Sequence, residues 1–270
     1  RYFDVGIAEQ HAMTFAAGLA CNNIKPIVAI YSTFLQRAYD QLIHDVVVQD
    51  LDMLLAIDRA GIVGADGETH QGIYDISFLR VLPKIVIMTP SDESEMVKML
   101  TTGYNHNGLA AVRYPRGKIT GVEFKNEFSK LINIGKAKWI RKGVDIAYFV
   151  FGTMLSSIKK VAESNNATII DMRFVKPIDE DVIVEVCNTH RFVFTVEDNT
   201  ILGGAGSAVN EVLVKYGINK IVKNLGVPDE TISHGNQNDI LASIGMDYNG
   251  ILGTTSNHIK FMEEYEKKVR

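Results

Sequence analysis

The sequence predicts an α/β fold with two domains, each a mostly parallel sheet flanked by helices. Short, uniformly apolar strands alternate with amphipathic helices along most of the 270 residues, which is typical of parallel sheets covered on both faces. The alternation is lost between about residues 118 and 138. We therefore predict a first domain over residues 1–120, a linker over residues 121–138 and a second domain over residues 139–270.

In the first domain, residues 4–6 are predicted to be the end of a strand followed by a glycine turn. A helix is then expected to turn one side toward the core, and the residues on that side are Ile7, Ala8, Ala12, Phe15, Ala16 and Leu19. Strands are predicted at residues 26–31, 53–57, 84–88 and 109–112. Ser32 or Thr33 can cap a helix that buries residues 35, 38, 42 and 46, and another helix is expected between residues 92 and 103.

The second domain continues the alternation without an internal repeat. Strands are predicted at residues 145–151, 168–172 and 192–196. Helices are predicted after Gly152, over residues 179–186, after Gly206 and over residues 257–269. The run Gly203-Gly204-Ala205-Gly206 invites a nucleotide-binding interpretation, but the third glycine of that motif and the acidic residue that should follow it are missing. We predict no nucleotide site there.

Composition excludes several classes of partner. The net charge of −4 gives no basic surface for nucleic acid or an anionic membrane, and no apolar run is long enough to predict a membrane span. Cys21 and Cys187 are expected to be reduced core residues, which suits a cytoplasmic protein. The chain begins at Arg1 inside an apparent strand, so we expect a piece of a longer protein. A targeting peptide could lie in the missing part, which leaves a plastid-type organelle open.

Glu9 is the first residue with a chemical rather than a packing signature. At the start of a helix a carboxylate is favoured by free N–H groups and the helix dipole. Its apolar neighbours instead favour the protonated acid, which suits a group that shares a proton. An exposed glutamate that serves only the helix dipole is the alternative.

Further polar side chains follow the next strands, at the sheet edge where open α/β folds bind ligands. They are Tyr31, Phe34, Arg37, Asp58, Arg59, Asp66, His70, Arg113 and Arg116. Core packing of Phe34, simple pairing of Asp58 with Arg59, and surface positions for the last two arginines are the alternatives. Together the set supplies a carboxylate, an imidazole, an aromatic plate and guanidinium groups. This combination suits a small phosphate-bearing substrate handled by proton transfer.

Five stretches resemble a known family. Residues 4–20 (DVGIAEQHAMTFAAGLA), 31–40 (YSTFLQRAYD), 58–72 (DRAGIVGADGETHQG) and 112–117 (VRYPRG) are similar to the 1-deoxy-D-xylulose-5-phosphate synthase family, and residues 171–179 (DMRFVKPID) to a motif of the transketolase superfamily. The resemblance implies a pyrimidine-binding domain that lacks its first strand and helix, followed by a transketolase C-terminal domain. It further implies a thiamine diphosphate enzyme that joins pyruvate to glyceraldehyde 3-phosphate with loss of CO2. The product feeds isoprenoid, thiamine and pyridoxal synthesis.

The resemblance also implies roles for individual residues. Glu9 would hydrogen-bond N1′ of the cofactor's aminopyrimidine, and Phe34 would stack on that ring with Ile7 and Arg37 beside it. His70 and Asp66 would handle substrate protons. The aldehyde substrate and its phosphate would be held by Tyr31, Arg59 and Arg116.

One departure from the family concerns the metal. The family binds Mg²⁺ and the cofactor diphosphate through a Gly-Asp-Gly motif in an N-terminal domain, and this sequence has no such motif with its following Asn. We therefore expect the Mg²⁺ ligands to lie in that absent domain and the chain alone to be inactive. A homodimer is also expected. The alternatives are a β-subunit-like half of a 2-oxoacid dehydrogenase and a non-catalytic dimerisation module.

Overall fold

Two five-stranded sheets form the framework of the molecule in the computed structural model, which describes residues 1–119, 121–122 and 130–269. In the first sheet the order is β1-β2-β4-β3-β8. Its strands are β1 (Ile27–Tyr31), β2 (Met53–Asp58), β3 (Val86–Met88), β4 (Leu109–Arg113) and β8 (Phe174–Lys176). The first four are parallel and β8 is antiparallel. The predicted mostly parallel α/β architecture is confirmed.

The second sheet has the order β10-β9-β6-β7-β5. Its strands are β5 (Lys138–Arg141), β6 (Ile146–Val150), β7 (Thr168–Asp171), β9 (Phe192–Thr200) and β10 (Val222–Val227). Only the β5–β7 pairing is antiparallel among these strands. The sequence did not predict β5, β8 or β10, because each is short or only partly apolar.

Helices cover the two sheets. They are α1 (Glu9–Ala20), α2 (Ser32–Leu35), α3 (Tyr39–Gln41), α4 (Asp75–Leu79), α5 (Glu93–Asn105), α6 (Leu155–Asn165), α7 (Glu180–Thr189), α8 (Ala205–Lys215), α9 (Gln237–Ser243) and α10 (Tyr248–Val269). Short 3₁₀ turns occupy Gln36–Ala38, Gly64–Asp66, Glu68–His70 and Gly152–Met154. In the described parts of the chain, none of these helices combines the length and apolar character needed to cross a membrane.

The region after β1 corrects one prediction. A single continuous helix was expected from residue 32 or 33 to residue 46, but α2, a 3₁₀ turn, α3 and a π-helical stretch (Leu42–Val47) follow one another. The predicted apolar face survives, since Leu35, Ala38, Leu42 and Val46 are fully buried. Changing helical pitch keeps these four side chains on the core while it re-aims the polar ones.

The beginning of the chain corrects three more predictions. Residues 1–8 contain no strand, and α1 begins only at Glu9. Of the predicted core side, Ala16 is buried, Ala8, Ala12, Phe15 and Leu19 are partly buried and Ile7 is exposed. Met13 and Ala17 are the other buried residues of α1. Cys21, expected in the core, is exposed after the last turn of this helix, whereas Cys187 is buried as predicted.

The predicted linker lies partly outside the described residues, and the elements on either side of it are in contact. Strand β8 belongs to the second half of the chain, yet it pairs with β3 at the edge of the first sheet. The largest apolar core likewise contains residues of both halves, such as Leu55 and Phe149. The two halves of the chain therefore share one sheet and one apolar core.

Candidate active site

Three strands of the first sheet end side by side at one edge. Tyr31, the last residue of β1, is the register partner of Asp58, the last residue of β2. Arg113 ends β4 and is paired with Ile57. The predicted meeting of the strand ends is thus observed, because neighbouring parallel strands end at the same edge.

At the acidic end of this edge, Glu9 lies in the first turn of α1 and its side chain is 13% exposed. The Arg37 guanidinium donates a hydrogen bond to Glu9 Oε1 at 3.2 Å. The expectation that Glu9 has only apolar neighbours is therefore wrong, because the broken helix after β1 brings a cation to it. Arg37 also lies 4.7 Å from the centroid of the Phe34 ring, which connects the carboxylate to an aromatic plate.

Aromatic rings occupy the middle of the edge. Phe34 is partly exposed and stacks with Tyr31 at a centroid distance of 5.7 Å and an interplanar angle of 15°. The His70 ring meets the edge of Phe34 at 5.1 Å and 75°. His70 Nδ1 lies 3.0 Å from the Thr69 hydroxyl. The imidazole and the aromatic plate predicted for the site are therefore in contact.

The basic end consists of Arg59, Asp66 and Arg116, which we call the rim cluster. Arg116 donates to Asp66 Oδ1 at 2.5 Å, and Arg59 Nε lies 3.5 Å from Asp66 Oδ2. Arg59 also pairs with Asp58 at 2.6 Å and lies 3.9 Å above the Tyr31 ring. The Arg116 side chain is 48% exposed. One carboxylate therefore holds two arginines together at a surface that a soluble anion can reach.

Backbone geometry supports this arrangement at Arg59. This residue adopts a left-handed φ of 55°, a conformation that costs a non-glycine residue about 1–2 kcal/mol. The Asp58 carboxylate accepts a hydrogen bond from the Arg59 N–H at 2.7 Å and offsets part of that cost. Strain of this kind at the end of a strand is typical of functional positions.

Two predicted residues have surroundings that differ from those expected. Ile7, expected on the core side of the first helix, is 92% exposed and precedes α1, and its place beside the cofactor stays a prediction. Arg113 is only 4% exposed and pairs with Asp75 at 2.9 Å and Asp198 at 2.5 Å. We call Asp75, Arg113 and Asp198 the buried triad. Neither interpretation of Arg113 was right, since it is neither a surface charge nor available to a ligand.

Comparison with known proteins agrees with this architecture. Residues 1–121 match the model described as "Transketolase, pyrimidine binding domain" and residues 135–251 match "Transketolase, C-terminal domain". The chain belongs to the transketolase family.

Individual relatives in this family are closely similar. The chain is 58% identical over 251 residues to a 1-deoxy-D-xylulose-5-phosphate synthase from Aeromonas hydrophila, covering 93% of this chain and 40% of the relative. A protein of the same name from Pseudomonas fluorescens is 53% identical, with 97% and 41% covered. The chain thus spans about two fifths of the length of these curated relatives.

Solved structures give the same fold. A chain titled "Split gene transketolase, inactive beta4 tetramer" superposes with a TM-score of 0.86 at 25% identity, covering 95% of this chain and 84% of that one. A transketolase from Campylobacter jejuni superposes with a TM-score of 0.75 at 17% identity, covering 93% of this chain and 39% of its own length. In transketolase terms, the edge described above belongs to the pyrimidine-binding domain.

Sequence reasoning missed the contribution of the C-terminal domain to this edge. A cavity of about 360 Å³ beside the rim cluster is lined by Val63, Ala65, Arg116, Gly117, Lys118, Asn236 and Gln237. The last two lie at the start of α9, more than 100 residues away in sequence. The sequence around Asn236 and Gln237 has no pattern that predicts this role. The Gln237 amide donates to the backbone carbonyl of Ile62, which is distant in sequence, and such a contact produces no periodic spacing of residues.

The glycine run before α8 has a structural explanation. Glu197, which is fully buried, accepts hydrogen bonds from the backbone N–H groups of Ala205 at 2.7 Å and Gly206 at 2.8 Å. The helix N-terminus that would hold a phosphate is therefore occupied by a carboxylate of the chain itself. Burial is the largest influence on Glu197 and raises its pKa to about 7, although these N–H groups act in the opposite direction.

The residues at the edge fit the aminopyrimidine of thiamine diphosphate better than they fit a metal. A mostly buried carboxylate beside a partly exposed aromatic ring provides a hydrogen-bond acceptor and a stacking surface. Within the described residues, no group of three or more His, Cys, Asp or Glu side chains is arranged to hold a metal ion.

Proposed function

We propose that this chain is the pyrimidine- and aldehyde-binding part of a thiamine diphosphate enzyme that condenses pyruvate with glyceraldehyde 3-phosphate, releases CO2 and forms 1-deoxy-D-xylulose 5-phosphate. Relatives 53–58% identical carry the name of that synthase. The observation that carries the proposal is the continuous set of contacts from Glu9 through Arg37, Phe34, Tyr31 and Arg59 to Asp66 and Arg116. Two carboxylates, two stacked aromatic rings and three guanidinium groups are thereby joined in one edge.

Glu9 and Phe34 are the residues that we assign to the cofactor. The bound cofactor supplies a carbon nucleophile and takes up the electron pair released with CO2. Glu9 would hold a proton at N1′ of the aminopyrimidine, and Phe34 would pack on the ring. Arg37, which bonds Glu9 and covers Phe34, would fix the orientation of both.

The rim cluster would bind the phosphate of the aldehyde. Each charge-assisted hydrogen bond from Arg59 or Arg116 to a phosphate oxygen contributes about 1.5–3 kcal/mol. Asp66 keeps the two guanidinium groups together before the phosphate arrives. Tyr31 supports Arg59 from below. Because a 2-oxoacid dehydrogenase β subunit has no phosphorylated sugar to hold, the cluster favours the synthase.

His70 is the best-placed group for proton transfer to the aldehyde. Its ring lies against Phe34, the residue that we assign to the cofactor, and it belongs to the same loop as Asp66 of the rim cluster. Carbon–carbon bond formation turns the aldehyde oxygen into a hydroxyl, and an imidazole can supply that proton. General acid catalysis of this kind contributes about 10²–10⁴ in rate.

The rest of the active site would come from a diphosphate-binding domain outside this chain. That domain would hold the cofactor diphosphate with Mg²⁺. The split transketolase with a similar fold is titled an inactive tetramer, which supports our expectation that this chain is inactive alone and associates with copies of itself, as a homodimer in the whole enzyme.

Fusion to a diphosphate-binding domain tests the proposal. The N-terminal part of the Aeromonas hydrophila relative, up to the point where its similarity to this chain begins, would be joined to residue 1. With thiamine diphosphate, Mg²⁺ and both substrates, we expect the fusion to release CO2 and form the sugar phosphate, while the chain alone forms none. A folded fusion that binds cofactor but makes no product would contradict the proposal and favour a dimerisation module.

A further inference from the structure

The loop between Gly61 and Gly72 carries Asp66 and His70, and its neck is closed tightly. Gly61 N donates to Gly72 O at 2.7 Å and Gly72 N donates back to Gly61 O at 2.9 Å. Gly61 has a φ of 78°, and a β-carbon at this position would lie 2.7 Å from Cγ of Asp198. A glycine at the neck therefore lets a carboxylate of the C-terminal domain approach the loop directly.

Asp198 also holds the neck through Arg113. The Arg113 guanidinium donates to Asp198 Oδ1 at 2.5 Å and to Gly72 O at 3.4 Å. Its Nε bonds Asp75, the first residue of α4, at 2.9 Å. Because all members of the triad are at most 10% exposed, solvent does not screen these charges. One end of the loop is thus fixed to both domains by a buried ion network.

Gln237 holds the first turn of the loop from the other side. Its side-chain amide donates to Ile62 O at 2.6 Å. A β-carbon at Gly64 would lie 2.7 Å from Gln237 N, which shows how closely the start of α9 approaches. Beneath these polar contacts, Ile62 and Ile73 pack in one apolar cluster with Val227, Ile232 and Ile240 of the C-terminal domain.

We infer that Asp198 and Gln237 of the C-terminal domain are positioning residues for the aldehyde-binding loop. They touch the loop backbone or its neighbours, whereas Asp66 and His70 project from the tip toward Arg116 and Phe34. Their removal would let the tip move while the two strand ends stay in place. The catalytic consequence rests on the proposed function, but the mechanical consequence does not.

Hydrogen exchange on the 270-residue chain tests the mechanical part. We expect Gln237→Ala to raise amide exchange within residues 61–72 by about tenfold, the factor for one hydrogen bond, with little change elsewhere. Asp198→Asn should produce a larger increase in the same segment. The control is Gln49→Ala, since the Gln49 amide also donates to a backbone carbonyl, Asp45 O, but far from the loop.

Kinetics of the fusion enzyme test the catalytic part. Gln237→Ala should lower kcat and raise the KM for the phosphorylated aldehyde several-fold, while the KM for pyruvate and the thermal midpoint stay near those of the parent. Unchanged exchange in residues 61–72, or an increase spread evenly over the chain, would overturn the inference. If the parent fusion is inactive, the proposed function fails while a localised change in exchange still supports the positioning role.

Discussion

Arg113 and Arg116 are three residues apart in sequence but differ in burial and in their partners. Arg113 is 4% exposed, and its guanidinium donates to two carboxylates from different domains and to two backbone carbonyls. Arg116 is 48% exposed and shares a single carboxylate, Asp66, with Arg59. Burial would lower the pKa of the Arg113 guanidinium, but Asp198 and Asp75 more than offset this and raise it. The first arginine is therefore fixed as a structural cation, whereas the second keeps donors for a ligand.

The contrast in burial between Arg113 and Arg116 indicates which charged residues at a sheet edge can bind a ligand. A buried ion network gains its strength from being complete, and breaking it leaves a charge without a partner. An exposed pair contributes little to stability, so one of its members can be exchanged for a substrate anion at small cost. The buried triad holds the strand ends in place, whereas the rim cluster leaves guanidinium donors accessible to a ligand.

The largest effect that we expect is on catalysis, from substitution of Glu9 rather than of either arginine. In the fusion enzyme, Glu9→Gln should lower kcat by about 10²–10⁴, because an amide cannot hold or release the proton at N1′. Steady-state rates of CO2 release measure this. Glu264→Gln, an exposed glutamate of α10, is the matched control, and we expect it to keep the parent rate. If Glu9→Gln kept that rate as well, Glu9 would have no part in the chemistry.

Matched substitutions test the two arginines on stability. Arg113→Met should lower the free energy of unfolding by about 3–5 kcal/mol, because Asp75 and Asp198 would be left buried without their cation. Arg116→Met should lower it by less than about 1 kcal/mol. Urea unfolding of the isolated chain measures both. Similar losses for the two variants would contradict the distinction between triad and rim.

Some of these features could be predicted from the sequence and others could not. Uniformly apolar strands predicted the α/β fold because burial on both faces leaves a local pattern. The proximity of Phe34 and His70, and the position of Arg116, could be predicted because these residues follow strands whose ends meet at one edge, whereas Glu9 follows no strand and reaches the edge through Arg37. Ile7 and Cys21 were expected in the core but are exposed, because Ile7 precedes α1 and Cys21 follows it. The partnership of Arg113 with Asp198, 85 residues away, has no local signal.

A smaller effect is the pH dependence of the free energy of unfolding, to which the buried Glu197 contributes. Burial raises the pKa of Glu197 to about 7 from an ordinary value of 4.5, so the folded chain binds this proton more tightly than the unfolded chain. Its contribution to stability is complete below pH 4.5 and is lost as the pH rises through about 7. Asp171, whose pKa burial raises to about 6, acts in the same direction.

Urea unfolding at pH 5.5 and pH 8 checks this response. Glu197→Gln carries no titrating proton and should reduce the difference in unfolding free energy between the two pH values by about 2 kcal/mol. The variant will be less stable overall, since an amide cannot accept both N–H groups of α8. A difference equal to that of the parent would mean that Glu197 does not titrate in this range.

The claim that the rim cluster recognises a phosphate has one direct test. In the fusion enzyme, kcat/KM is measured for glyceraldehyde 3-phosphate and for unphosphorylated glyceraldehyde, before and after Arg116→Ala. We predict that the preference for the phosphorylated aldehyde falls about tenfold or more, as expected for one charge-assisted hydrogen bond, and that the KM for pyruvate does not change. An equal loss for both aldehydes would contradict the account and leave Arg116 with a structural role alone.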